Sequence, residues 1–226
     1  MITSLVSYSI FVSSKCAEMP TLIFHITHLN NLSSILQAGG LLATCRLQQT
    51  KTSYRDISYE QIQDRRAQKR VPCGAGGVLH DYVPFYFAPR SPMLYTINRG
   101  NVAGCPEGQT PILHLVTTAE AIASANHPFA FTDGHAVVDY SEFYDSLTDL
   151  KEIDWDIMQD RYWRDTDEDG DRKRRRQAEF LVHDFLPWQM IHEIGVINAQ
   201  IQAQVQEILQ AANVTTHVRI HRDWYY

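Results

Sequence analysis

Lys173-Arg174-Arg175-Arg176-Gln177-Ala178-Glu179-Phe180-Leu181-Val182 begins as a run of cations and ends as an apolar strand, with one carboxylate, Glu179, at the join. From Ala178 onward β geometry sends successive side chains to opposite faces. Glu179, Leu181 and His183 then share one face, and Phe180 and Val182 the other. A buried carboxylate is costly unless it is hydrogen-bonded or opens onto a cleft. Two readings stand at this point: a strand-entry Glu paired with one of its own arginines, or a carboxylate aimed at a ligand beneath a mobile basic loop.

The surrounding chain has 226 residues, enough for one domain with a sizeable core. Its net charge of −6 excludes a surface coated in cations but not a local basic patch, because binding follows the field of the site. Cys16, Cys45, Cys73 and Cys105 stand far apart with no CxxC, which suits reduced thiols in a cytoplasm better than a disulfide framework or a zinc knuckle. No apolar run reaches the roughly 18–20 residues that span a bilayer. The Ile2–Val12 stretch is Ser-rich and lacks a basic start, so it makes a poor signal peptide. Residues 1–19 are read as an extension, flexible or upstream of the true start, and residues 20–226 as one domain.

In order, Thr21–Thr27 reads as a strand, followed by a short helix capped by Asn30 or Asn31 and stopped at Gly39-Gly40. His25 and His28 lie three apart on a strand, hence on opposite faces, and do not make a metal pair. No other ligand set has workable spacing, so no metal is expected. A weakly amphipathic helix is predicted over 56–69, a surface element or lid. Its Arg65 and Arg66 point about 100° apart, so at most one easily enters a pocket, and solvation is the default for both. Gly74-Ala75-Gly76-Gly77 is not a dinucleotide or phosphate loop. Asp81–Ala88 gives an aromatic strand in which Tyr86 alternates away from Phe85 and Phe87, and Pro89–Met93 gives a rigid turn. Pro111–Thr117 is a further strand, and Thr117-x-x-Glu120 a capping box for the next helix. Phe129–Thr132 is a short strand that turns at Asp133-Gly134, with His135 just beyond. Residues 141–163 suggest two short helices. DTDEDGD (165–171) sets five acids directly before the five bases of 172–176, a partly self-neutralising charge run that also attracts anions such as phosphates. Strand 192–197, helix 199–212 and strand 214–220 close the chain.

FHITHLNNLSSIL…GGLL, GGVLHDYVPFYFAPRSPMLY, ILHLV, FTDGHA, KRRRQAEFLV and RIHRDWYY, kept in this order across residues 21–226, resemble the DarT family, DNA ADP-ribosyltransferase toxins of DarTG toxin–antitoxin systems. The resemblance implies an α+β ADP-ribosyltransferase fold, a split and mostly antiparallel β core with peripheral helices and NAD+ as co-substrate in the cleft. It implies a catalytic pair Glu179 and Arg66, with His25 and Thr27 holding NAD+, and a substrate-recognition loop over roughly Asp165–Gln177. It further implies transfer of ADP-ribose to a base in single-stranded DNA, most commonly thymine, in a bacterial cytoplasm, and an antagonist of the DarG type whose macrodomain removes the group. The acidic DTDEDGD insertion departs from the family's loop.

Chemistry fits these expectations. Breaking the nicotinamide–ribose bond builds positive charge on the sugar, which a strand-held carboxylate stabilises where it forms. Arg66 suits phosphates or the reacting edge of the base. Tyr86 suits stacking on nicotinamide or the target base. A base modified at its pairing edge must be unpaired. Arg90, Met93, His135, Arg172, Lys173 and Arg174 are candidates for the DNA strand. Transfer to guanine, RNA or protein, or an idle module that only binds NAD+ or nucleic acid, remain the competing readings.

Overall fold

The computed structural model describes residues 19–57 and 60–226, and the extension expected over 1–19 lies, except for Met19, outside them. The chain runs β1 (Leu22–His28), α1 (Leu32–Gln37), β2 (Gly40–Leu42), α2 (Thr44–Thr50), α3 (Glu60–Gln68), β3 (Tyr82–Tyr86), α4 (Pro92–Asn98), β4 (Ile112–Thr118) and α5 (Ala119–Ser124). It continues through β5 (Phe129–His135), β6 (Phe143–Tyr144), α6 (Trp155–Gln159), α7 (Arg172–Arg175), β7 (Ala178–His183), β8 (Phe185–Pro187), β9 (Glu193–Val196), α8 (Ala199–Ala211) and β10 (His217–Ile220).

The main sheet has the order β10-β9-β4-β1-β3-β7-β5-β6, and β2 pairs with β8 beside it. Every pairing is antiparallel except β9 with β10. Its halves differ from its middle. β1 lies against β4 along its whole length, and β3 against β7 from Tyr82 to Tyr86, but β1 and β3 share the single register pair Phe24↔Tyr86. Beyond it the strands part, and the sheet splits. Pro84 stands in the parted stretch, where a residue without an N–H forfeits no ladder bond to β1. Its carbonyl accepts from Nδ1 of His25 at 2.8 Å, so a side chain spans the gap that backbone bonds have left.

Apolar alternation builds the layers on either side. Phe85, Phe131 and Phe180 are fully buried on one face, and the Phe131 and Phe180 rings lie parallel, with centroids 6.3 Å apart. Truncating either to Ala would cost about 3–5 kcal/mol by lost burial and the cavity left behind. All seven residues of β4 are buried, as expected of a central strand covered on both faces. α8 buries Ile201, Val205 and Leu209, spaced one turn apart, and starts where Asn198 accepts from the Ile201 N–H at 3.0 Å.

Several local expectations are corrected. Asn31 stands at the start of α1, but its side chain does not cap the helix. The cap of α5 is Thr118, whose Oγ1 accepts from Ala121 N–H, while Glu120 accepts from the Thr21 N–H and so ties α5 to the entry of β1. Ser91 caps α4 with Pro92 in its first turn, so Pro92 and Met93 are helical. Asp133-Gly134 is not a turn: β5 continues to His135, with its register against β7 shifting between Phe131 and His135. A Cβ at Gly134 would lie 2.3 Å from Nη1 of Arg174, so the glycine lets the arginine cross the strand at its present position.

Candidate active site

A cavity of about 850 Å³ opens at the split, within the range of small-molecule sites. By alternation Tyr86 and Glu179, which face each other across β3 and β7, share one face of the sheet. His25 and Thr27 lie on the opposite face of β1 from Phe24, the register partner of Tyr86. Only because the strands part does one cavity reach all four.

Glu179 is 4% exposed and Arg66 8%. Nη1 of Arg66 donates to Oε2 of Glu179 at 2.7 Å, and the Ala136 N–H donates to Oε1 at 3.3 Å. Nδ1 of His135 lies 3.5 Å from Oε1, within ion-pair reach but beyond hydrogen-bond geometry. The Glu179 backbone N–H is held by Thr132 Oγ1 at 3.2 Å, which fixes the strand beneath the carboxylate. Burial pushes the Glu179 carboxyl up, but the Arg66 charge and the contact with His135 outweigh it and hold the group at about 2. It is therefore a carboxylate at any working pH. Arg66 keeps an unused valence: its Nη2 is buried and has no partner among the described residues. A buried, unpaired donor beside a cavity is a group whose partner comes from outside the fold.

α3 aims this arginine. Neighbouring Arg65 is exposed and donates to the Val137 carbonyl at 3.1 Å. Lys69 pairs with Asp139 at 3.1 Å, and Gln63 meets Nε2 of His80 at 2.9 Å. These contacts fix the helix and the residue after it, and Arg66 turns inward. The expectation that both arginines are solvated by default is thus corrected for Arg66, whose partner lies 113 residues away. His80, Gln63 and the Ala136 N–H were not legible as part of this arrangement, since nothing local marks them.

His25 donates through Nδ1 to Pro84, leaving Nε2 as the acceptor, and burial keeps the ring below its usual pKa and hence neutral. It sits mid-strand. Oγ1 of Thr27 accepts from Nδ2 of Asn31 at 3.2 Å. Tyr86 borders the cavity, and burial together with the neighbouring Glu179 pushes its hydroxyl well up, so it stays protonated.

Among the DNA candidates, Met93, His135 and Lys173 line the cavity. The others are placed elsewhere. Arg172 is bound to Asp160 at 2.6 Å and to the Tyr162 carbonyl at 2.7 Å. Arg174 is bound to Asp133 at 2.9 Å and Asp171 at 2.8 Å. Arg90 lies over the Tyr226 ring, its Cζ 4.6 Å from the centroid, away from the cavity. The rest of the basic run is equally committed: Arg175 to Asp154 and Asp169, and Arg176 to the carbonyls of Ile157, Met158 and Arg90. The reading of 172–176 as a phosphate-attracting patch is corrected accordingly. Arg172, Arg174 and Arg175 are paired with Asp169 and Asp171 of the insertion, with Asp133 of β5 and with Asp154 and Asp160 at the two ends of α6, and Lys173 alone of the five reaches the cavity wall, beside Trp163 and Gln177. No helix among the described residues is long and apolar enough to cross a membrane.

Residues 24–226 match the family described as ssDNA thymidine ADP-ribosyltransferase, DarT. A DNA ADP-ribosyl transferase of Thermus aquaticus is 50% identical over 210 residues, 92% of this chain and 90% of that one. The structure is similar to that of Thermus sp. 2.9 DarT in complex with ADP-ribosylated ssDNA, with TM-score 0.86 and 45% identity over 92% of this chain and 97% of that one. For the same protein in complex with NAD+ the TM-score is 0.83 at 43% identity, covering 92% and 99% of the two chains. A Thermosipho africanus protein named as a fusion of DNA ADP-ribosyl transferase and DNA ADP-ribosyl glycohydrolase is 23% identical over 85% of this chain and 46% of its own.

Proposed function

The chain belongs to the DarT family of DNA ADP-ribosyltransferases, and from that membership we propose that it moves ADP-ribose from NAD+ to thymine in single-stranded DNA, as the toxin of a toxin–antitoxin pair. One observation carries the reading: an ionised Glu179 and an Arg66 whose Nη2 is unpaired among the described residues stand together in a cavity that also reaches His25 and Thr27. The likeness to Thermus sp. 2.9 DarT, seen both with NAD+ and with ADP-ribosylated ssDNA, supports both substrates.

Each residue takes a role its chemistry suits. His25 and Thr27 hold the dinucleotide, with the free Nε2 of His25 as acceptor and Tyr86 as the ring against nicotinamide or the base. Glu179 accepts from a ribose hydroxyl and opposes the positive charge that grows on the sugar as nicotinamide leaves. A fixed, dry carboxylate does this without reorganising, which is where electrostatic catalysis gains most. Nη2 of Arg66 reaches a phosphate or the thymine edge, where a cation favours the deprotonated ring nitrogen that forms the new glycosidic bond. The proton of that nitrogen is lost, and nicotinamide departs with the electrons of its bond to the sugar. Because the reacting edge is the pairing edge, duplex DNA is refused. Met93, His135 and Lys173 are the DNA-side residues of this reading. A glycosidic adduct on DNA calls for a glycohydrolase to reverse it, and the fused architecture of the Thermosipho africanus relative supports a DarG-like macrodomain antagonist.

Incubating the protein with NAD+ and matched oligonucleotides tests this. Labelling is expected on a thymine-containing single strand and not on its duplex or on a thymine-free strand. Equal labelling of all three, or of none, would refute it.

A further inference from the structure

Thr52, Tyr54, Arg55, Asp56 and Ile57 form one wall of the cavity, on the way to the helix that carries Arg66. The segment has no regular structure of its own. Arg55 fastens it through both its backbone and its side chain. The Arg55 N–H donates to Oδ1 of Asn31 at 2.6 Å, and Nδ2 of Asn31 donates to the Arg55 carbonyl at 2.9 Å. One buried amide side chain thus takes both backbone groups, much as a neighbouring strand would, and its Nδ2 also donates to Thr27. On the other side, Nε of Arg55 donates to the Gly104 carbonyl at 2.6 Å. Its Nη1 lies 2.9 Å from Nε2 of His28, and Nη1 and Nη2 together grip the Glu107 carboxylate at 3.1 and 2.9 Å. Burial and the Arg55 charge keep His28 below its usual pKa, so the ring stays neutral beside the guanidinium.

All of these partners belong to the end of β1, the start of α1 and the 104–107 loop. Trp163, Lys173 and Gln177, which also line the cavity, contribute none. We propose that Arg55 is a positioning residue for the dinucleotide. It holds the 52–57 wall against the end of β1, beside Thr27, through hydrogen bonds that among the described residues reach none of Met93, His135 and Lys173; the inference rests on the reading that NAD+ sits at His25 and Thr27. A wall already in place need not be ordered when the ligand arrives, so its loss weakens the ligand that touches it and spares the one that does not.

Steady-state kinetics and calorimetry with NAD+ in the absence of DNA test the assignment. Arg55→Met should raise the NAD+ dissociation constant and KM by about tenfold, as for one or two lost charge-assisted hydrogen bonds, with kcat and the oligonucleotide KM within about threefold. Asn31→Ala should do the same, and the double variant should fall short of the product of the two, since both act through one clasp. Should Arg55→Met fail to fold, Glu107→Gln keeps Arg55 and loosens only its outer contact, and is expected to give the same split at smaller size. Equal rises in both KM values, a fall in kcat at unchanged NAD+ affinity, or no change would overturn the proposal. An unaltered chain that binds NAD+ but labels no DNA would refute the transfer reading alone. One that binds no NAD+ would overturn both.

Discussion

Two regions of this protein concentrate charge, and they are used in opposite ways. In the 160–176 segment, Arg172, Arg174 and Arg175 each meet carboxylates, and Arg176 is spent on backbone carbonyls. In the cleft Arg66 meets Glu179, both are buried, and one guanidinium nitrogen is left over among the described residues. The first region is rich in cations and nearly closed to new partners. The second buries one ion pair and keeps one of its donors open. Density of charge in a sequence therefore says little about binding; what matters is the valence left over after folding.

Arg66→Met breaks the contrast most severely. It strands a buried carboxylate, so stability should fall by about 3 kcal/mol, and adding Glu179→Gln should restore most of that loss. DNA labelling by Arg66→Met should drop on the order of a hundredfold, as when one preorganised charge is removed from a site. Thermal unfolding and initial rates read the two effects separately.

Acid sharpens the same point. The carboxyl of Glu179 lies at about 2 in the fold against an ordinary 4.5, so its folded pKa is depressed. Its contribution to stability is full above the ordinary value and is lost as pH falls from there toward 2. Denaturant titrations at successive pH values should show Glu179→Gln lacking part of the acid-side decline that the unaltered chain displays.

The smallest effects belong to the loop. Lys173→Ala should raise the oligonucleotide KM a few-fold and reduce its salt dependence by about one phosphate contact. Arg174→Ala should leave that salt dependence unchanged and cost about 1 kcal/mol of stability through Asp133 and Asp171. If Arg174 moved the salt slope and Lys173 did not, the division drawn between the two regions would be reversed.

Much of the fold was legible because its signals are local. The alternation of 178–183 placed Glu179 on the face opposite Phe180, and Tyr86 separated correctly from Phe85 and Phe87. The errors arise where the deciding partner is distant. Nothing within 56–69 distinguishes Arg65 from Arg66; Val137 and Glu179 do. The basic run looked like an open patch because Asp133, Asp154 and Asp160 come to it from other elements. Asp133-Gly134, a turn signal by composition, is held in a strand by its pairing with β7 and by the passage of Arg174 over the glycine. The Ser91-Pro92 start of α4 is the exception: a capping residue followed by proline is a local helix signal, and reading it as a turn overlooked it.

The central claim is that Glu179 acts on the sugar as the bond breaks and not on the binding of NAD+. Calorimetry and single-turnover labelling of Glu179→Gln test it most directly. NAD+ affinity is expected to stay within a few-fold while the rate of DNA labelling falls by about a hundred- to a thousandfold, the scale of one lost oxyanion-type contact. Labelling at an undiminished rate, or a loss accounted for entirely by weaker NAD+ binding, would contradict it.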